Sequence, residues 1–275
     1  MSGTDQTAAT LFRAGKLDDA VAAAQAALRK APTDLNARVL LGELLAFSGN
    51  LERADVVLDA ASAIDPSTAL VVAEFRQLIR ADMARRQLFH DGRVPEFLSD
   101  PTETQRLQLA ALVALRAGDL GEAAKQAAAA EAMRPRTAGK HGDAAFDDWR
   151  DADDLLAGSF EVLTTTGKYF WIPTERVLTL EFHAPKRPRD LLWRRASMSV
   201  DQGPDGDVYL PVVYATDETM TDPQRLGHET DWREAPDTPV RGIGQRLFMV
   251  GEEALGIMDL GNIRFTVSPA DAGSA

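Results

Sequence analysis

An α+β fold, with a helical repeat array followed by a smaller, mainly antiparallel β domain, is what this sequence predicts, and three features carry the prediction. The stretch Gly15-Lys16-Leu17-Asp18-Asp19-Ala20 returns 34 residues later as Gly49-Asn50-Leu51-Glu52-Arg53-Ala54, and again as Gly118-Asp119-Leu120-Gly121-Glu122-Ala123. Pro32, Pro66 and Pro135 travel with it, so each copy reads turn, helix, helix end. Past Gly158 the apolar spacing changes from the helical period of 3.6 to the strand period of two. A repeat of this length built from paired helices marks a tetratricopeptide-like α-helical solenoid. Its units stack around a shared core and leave an open binding face.

In order along the chain, Ala8 to Ala14 and Asp18 to Ala31 make the first helical pair. Asp18 favours the positive end of the second helix, and Ala20, Ala24 and Ala27 form a small-residue face. Asp34 caps a helix running through Leu35, Val39, Leu40 and Leu44 to Phe47, and Leu51 to Ile64 closes the second pair before Asp65-Pro66. Ser67 to His90 is one long amphipathic helix without the turn motif, with Leu70, Val71, Phe75, Leu78, Ile79 and Met83 on its buried side. Two prolines punctuate residues 91–101, which read as a connection with one helical turn. Thr102 to Ala117 and Leu120 to Met133 restore the repeat.

Residues 136–142 lose all periodicity, so the division is set at a helical domain of 1–142 and a β-rich domain of 143–275. Asp143 to Asp154 reads as a solvated acidic helix end. Strands follow at Phe160/Val162, Tyr169–Ile172, Leu178/Leu180/Phe182, Arg246–Val250 and Ile263–Val267, and Ala196/Met198/Val200 pairs with Val208–Tyr214 through a Gly203-Pro204-Asp205-Gly206 turn. Asp217 to Pro239 is a connection rich in proline and charge.

Composition narrows the function. The chain has 275 residues, 45% apolar and 26% charged, which is globular usage, and its net charge of −12 argues against a general binder of nucleic acid or anionic membrane. The charge is uneven: residues 1–142 hold 17 Lys/Arg against 18 Asp/Glu, residues 143–275 hold 13 against 24. Without cysteine there is no disulfide and no thiolate ligand or nucleophile. The start lacks a signal-peptide pattern, and no stretch reaches the ~18 apolar residues of a membrane span. A soluble cytoplasmic protein is expected.

Few residues point to chemistry. The six aspartates between Asp143 and Asp154 lack the order of a calcium loop. His228-Glu229-Thr230-Asp231 supplies acid–base or ligand groups, but the second histidine of a metalloprotease helix would fall at Trp232. Gly242-Ile243-Gly244 starts a dinucleotide fingerprint whose third glycine is instead Leu247, so turn glycines are expected there. Lys186 to Arg195 packs five basic residues around Trp193, either as domain packing or as a patch for an acidic partner or nucleic acid. Serine-nucleophile and phosphate-loop motifs are absent, and no cofactor or metal is implied.

The solenoid itself points to protein binding. The first helix of each pair lines the concave face, and there Asn36, Val39, Glu43 and Ala46 share one side. Val39 and Ala46 would give apolar contact to an amphipathic helix laid in the groove, and Glu43 would select a basic residue on it. If the partner lies elsewhere, the surroundings of Trp193 come next. A β-domain enzyme or small-ligand binder using His228, Glu229 and Asp231, with the solenoid as its targeting arm, is the rival reading, and a nucleic-acid regulator acting through the basic decapeptide is the third.

Taken with the repeats, the strings Gly158-Ser159-Phe160-Glu161-Val162-Leu163, Gly167-Lys168-Tyr169-Phe170-Trp171-Ile172-Pro173, Arg187-Pro188-Arg189-Asp190-Leu191-Leu192-Trp193, Gly206-Asp207-Val208-Tyr209-Leu210-Pro211 and Arg241-Gly242-Ile243-Gly244-Gln245-Arg246 resemble the ImpE family. Its members, also called TagJ or SciE, are accessory proteins of bacterial type VI secretion. The resemblance runs from about Leu11 to Phe265. It implies a non-enzymatic cytoplasmic adaptor that binds the N-terminal helix of the small contractile-sheath subunit and links the sheath to its recycling ATPase, ClpV. The family brings no catalytic residues to carry over.

Overall fold

A computed structural model describes residues 7–216 and 219–266. The helices are α1 (Ala8–Arg13), α2 (Leu17–Lys30), α3 (Leu35–Phe47), α4 (Leu51–Ile64), α5 (Ala69–Asp91), α6 (Glu103–Arg116) and α7 (Leu120–Met133). What repeats is a helix stop. Gly15, Gly49 and Gly118 sit at φ +75°, +82° and +78°, where a Cβ is strained. In each copy the next residue's N–H reaches back five positions: Lys16 to the Leu11 carbonyl, Asn50 to Leu45 and Asp119 to Ala114, at 3.0, 2.9 and 3.0 Å. Asn50 and Asp119 then start the following helices, accepting from the Arg53 and Glu122 N–H groups at 3.3 and 3.0 Å. Lys16 has no side-chain oxygen to do this. In the first copy the Leu17 N–H instead donates to the Asp222 carboxylate at 3.1 Å, from the far half of the chain.

Two helical expectations change. The small-residue face of α2 ends at Ala24, since Ala27 is exposed. On α5, Val72, Phe75, Leu78 and Ile79 are buried as expected, but Leu70 and Val71 are 73% and 41% exposed. The connection after α5 holds no helical turn. It runs extended beside the sheet, where the Glu96 N–H donates to the Tyr169 carbonyl at 2.9 Å and its carbonyl accepts from the Trp171 N–H at 3.1 Å.

The second half is antiparallel, as the alternating pattern predicts. Its strands are β1 (Gly139–His141), β2 (Ala144–Phe146), β3 (Trp149–Asp151), β4 (Ser159–Leu163), β5 (Tyr169–Pro173), β6 (Val177–Phe182), β7 (Trp193–Val200), β8 (Asp205–Pro211), β9 (Thr230–Arg233), β10 (Arg241–Gly244), β11 (Leu247–Val250), β12 (Glu253–Gly256) and β13 (Asn262–Phe265), with a short α8 (Asp222–Arg225) before β9. Eight strands form one sheet in the order β2-β1-β13-β6-β7-β8-β4-β5, flanked by the pair β10-β9 and the triplet β12-β11-β3. The expected hairpin is β7–β8, with Ala196 opposite Val208. Leu178 is only half-buried, and it lies at a register shift between Val177 and Thr179. Val267, expected in the last strand, lies outside the described residues, as do Asp217 and Glu218 of the long connection.

Residues 143–154 are not a solvated helix end. They form β2, β3 and a turn, and Asp151 and Asp153 are buried because guanidinium groups of Arg246 and Arg241 meet them. Gly242 is a strand residue, where a Cβ would stand 2.2 Å from the Tyr214 ring. The sheet also starts before residue 143, since β1 pairs with β13 from Gly139 opposite Phe265.

Two cores hold the molecule. One lies within the β half, where Trp149 meets Phe146, Phe160, Phe248 and Phe265 at ring-centroid distances of 5.0–5.9 Å. The other spans the seam, joining Leu44, Phe75 and Leu78 of the helices to Leu163, Trp171 and Trp193 of the sheet and to Leu192 just before β7. The division at residue 142 thus follows the change of period and not a break in packing. The inner face of the helices, expected to be open, is largely closed by the sheet.

Candidate interaction site on the helical seam

One stretch of the inner helix face stays uncovered. A groove of about 340 Å³ runs between α3, α5 and the segment leading into the turn Pro188–Leu191. Asn36 is exposed and Val39 half-buried on its α3 wall, and Val71 stands on its α5 wall with Leu70 beside it on the helix. Glu43 lies at the floor, 4% exposed, with its carboxylate 3.4 Å from the Arg189 guanidinium. Burial pushes the Glu43 carboxyl up to about 7, against the attraction of Arg189. Arg189 in turn lies over the Phe75 ring, 4.7 Å from its centroid.

Of the five residues the sequence proposes for partner binding, the structure leaves Asn36 and Val39 reachable. Glu43 is engaged with Arg189, and Ala46 is buried at 1% exposure. Trp193 is equally buried and meets the Phe75 ring edge-on at 6.0 Å, so it joins the halves and offers nothing to a ligand from outside. Arg194 in the same basic run is buried too, donating to the Leu260 carbonyl at 2.8 Å and stacking over Phe182. The beginning of that run, Lys186 and Arg187, faces solvent at the groove rim, while Arg195 at its end is exposed and paired with Asp207. Val71, which the sequence places on the buried side of α5, instead stands exposed on the groove wall. The signal for this was a helix whose apolar stripe is wider than one neighbour can cover.

Behind the groove the seam is pinned by a buried charge network. Arg85 on α5 donates to both Glu161 oxygens on β4 at 2.8 and 2.9 Å, and to the Val213 carbonyl at 3.0 Å. Arg246 bridges Glu161 and Asp151, the latter at 3.0 Å. The Tyr169 hydroxyl donates to Glu161 while accepting from the Trp171 indole at 2.6 Å, and the Tyr214 hydroxyl donates to Asp151 at 2.9 Å. Burial alone would raise Glu161, but the Arg85 and Arg246 charges outweigh it and hold the carboxyl down to about 2. Asp151, with weaker compensation, is pushed by burial up to about 7.

This network ties elements together, because its acceptors are filled by protein donors. His228, Glu229 and Asp231 do not converge either. All three are exposed, and the Asp231 carboxylate accepts from the Trp232 N–H at 2.8 Å. Among the described residues no group of His, Asp and Glu has the arrangement of a metal site, and no helix is long and apolar enough to cross a membrane.

Comparison with known proteins fits this architecture. A family model described as ImpE protein matches residues 143–264, and one described as tetratricopeptide repeat matches residues 11–73. The type VI secretion system accessory component TagJ of Pseudomonas aeruginosa is 34% identical over 265 residues, covering 95% of this chain and 91% of that protein. The crystal structure of a protein from Vibrio parahaemolyticus superposes with a TM-score of 0.89 at 28% identity, covering 95% of this chain and 98% of its own.

Proposed function

The chain belongs to the ImpE family, and from that premise we propose that it is a non-enzymatic, cytoplasmic adaptor of a type VI secretion system. In this reading it holds the N-terminal helix of the small sheath subunit and links the sheath to the ClpV ATPase. The chain is a homologue of the accessory component TagJ over nearly its whole length, which supports the setting. The observation that carries the mode of binding is the groove between α3 and α5. Most of the inner helix face is closed by the sheet, yet here Val39 on α3 and Val71 on α5 line one groove and stay partly or largely exposed. Apolar anchors spaced along one face of a helix fill such a groove.

Fluorescence titration of the labelled sheath-subunit peptide tests it. Covering one valine-sized anchor is worth roughly 1.5–3 kcal/mol, so Val71→Asp should weaken binding about tenfold or more. Val71 is 41% exposed, so its replacement leaves the fold standing, which the more enclosed Val39 does not guarantee. Arg53→Ala, outside the groove, serves as the control. Equal affinity in wild type and Val71→Asp would move the site off this face, and failure of the loaded protein to capture purified ClpV would remove the link to the ATPase.

A further inference from the structure

We propose that the groove selects an amphipathic helix bearing an acidic residue beside its apolar stripe, whose carboxylate is received by Lys186 and Arg187. The proposal rests on the groove reading above and adds the charge of the partner to it. From sequence, Glu43 would choose a basic residue on the ligand. The structure reverses that sign. Glu43 is at the floor, closed in by Arg189, and presents no free negative charge to an incoming helix. The exposed charges at the rim are instead both positive.

These two cations are held in place and left open. The Lys186 and Arg187 N–H groups both donate to one Asp190 carboxylate oxygen, at 2.8 and 3.0 Å, which fixes the rim through its backbone. Among the described residues neither side chain forms an ion pair within 4.0 Å, although the Arg187 charge is near enough to act on Glu43. Asp190, the nearest candidate, spends its accepting oxygen on the backbone. Counting Arg189, three cations stand against the carboxylates of Glu43 and Asp190 around an apolar groove on a chain whose net charge is −12. An unpaired cationic rim on an acidic protein draws in an acidic ligand and repels a basic one, since complementary charge sets partner choice and encounter rate. The apolar wall supplies affinity and the rim supplies register, because a carboxylate can reach Lys186 or Arg187 only when the apolar stripe faces Val39 and Val71.

The test uses the full chain, the sheath subunit's N-terminal peptide and two derivatives with an unchanged apolar stripe, one with glutamates and one with lysines along its flank. The glutamate peptide should bind about fivefold to tenfold tighter than the lysine peptide, and the gap should shrink as salt rises. The double variant Lys186→Glu/Arg187→Glu should invert that order without moving the melting temperature, because both side chains are exposed and the bonds to Asp190 come from the backbone. Equal affinities for the two peptides, with Val71→Asp weakening both, would overturn the charge selection and leave the groove in place. Binding indifferent to Val71→Asp would remove the groove and the proposal together.

Discussion

Glu43 and Glu161 are both buried carboxylates on the seam between helices and sheet, both face arginine, and they are held in opposite states. Glu161 is met by two guanidinium groups and a tyrosine hydroxyl, which keep it ionised at full burial. Glu43 has a single guanidinium 3.4 Å away, too little to offset the loss of water, and burial raises it instead. The difference follows the number of guanidinium charges facing each carboxylate: two hold Glu161 ionised, while one leaves Glu43, and likewise Asp151, raised by burial. It also separates two roles along one seam. The centre is a pin in which both Glu161 oxygens are filled by protein donors, and the end near α3 is a groove floor where Glu43 meets one guanidinium.

Breaking the pin should have the largest effect. Glu161→Gln keeps the shape but leaves Arg85 and Arg246 buried without their shared countercharge, so stability should fall by about 3–5 kcal/mol. Urea titration read by helical and by tryptophan signals should show one shared transition, because the seam core belongs to both halves. A loss below about 1 kcal/mol would mean the network does not pin the seam.

Glu43 sharpens the comparison through pH. Its carboxyl titrates near 4.5 when unfolded and near 7 when folded, so between those values the folded state keeps a proton that the unfolded state has lost. Raising the pH through that window therefore destabilises the fold, on the order of 3 kcal/mol in total for this group. Glu161 works the other way, contributing stability above pH 4.5 that is lost on acidification toward 2. Asp151 adds a slope of the same sign as Glu43, so the informative quantity is the difference between wild type and Glu43→Gln across pH 4.5 to 7. Parallel pH profiles for the two proteins would show that Glu43 titrates as an ordinary carboxylate.

The same contrast explains what could be read from sequence. The helical repeats were legible because each turn is local: a left-handed glycine followed by a capping residue stops one helix and starts the next. The β7–β8 hairpin was legible for the same reason. Strands β1, β2, β3, β9, β10 and β12 have only three or four residues, too few to show a period, and β1 and β3 pair with β13 and β11 from far along the chain. The acidic run was misread because its partners are distant. Asp153 meets Arg241 across 88 residues and Asp151 meets Arg246 across 95. The usable hint was arginine placed among apolar strand residues, where a guanidinium needs a buried carboxylate. The groove was half legible. Asn36 and Val39 were found from helix periodicity, but the other walls come from α5 and the segment before β7, and which inner positions the sheet would cover was not a local property.

At the smallest end of the scale, His228→Ala and Asp231→Ala should each change stability by no more than about 0.5 kcal/mol. Asp231 lies on β9 and His228 in the turn between α8 and β9, both exposed, in contrast to the enclosed carboxylates of the seam. Asp231 faces Ile243 across that ladder, and its one bond is local, to the next residue's N–H, where solvent can replace it. A catalytic or metal role would require His228, Glu229 and Asp231 to converge in a pocket that excludes water, whereas all three are exposed. Peptide affinity should likewise be unchanged in both variants, since the groove is built from α3, α5 and residues 186–189. Secretion assays in the host are the sensitive check: a large loss of activity from either variant, with melting temperature and peptide affinity at wild-type values, would restore the enzymatic reading of this segment.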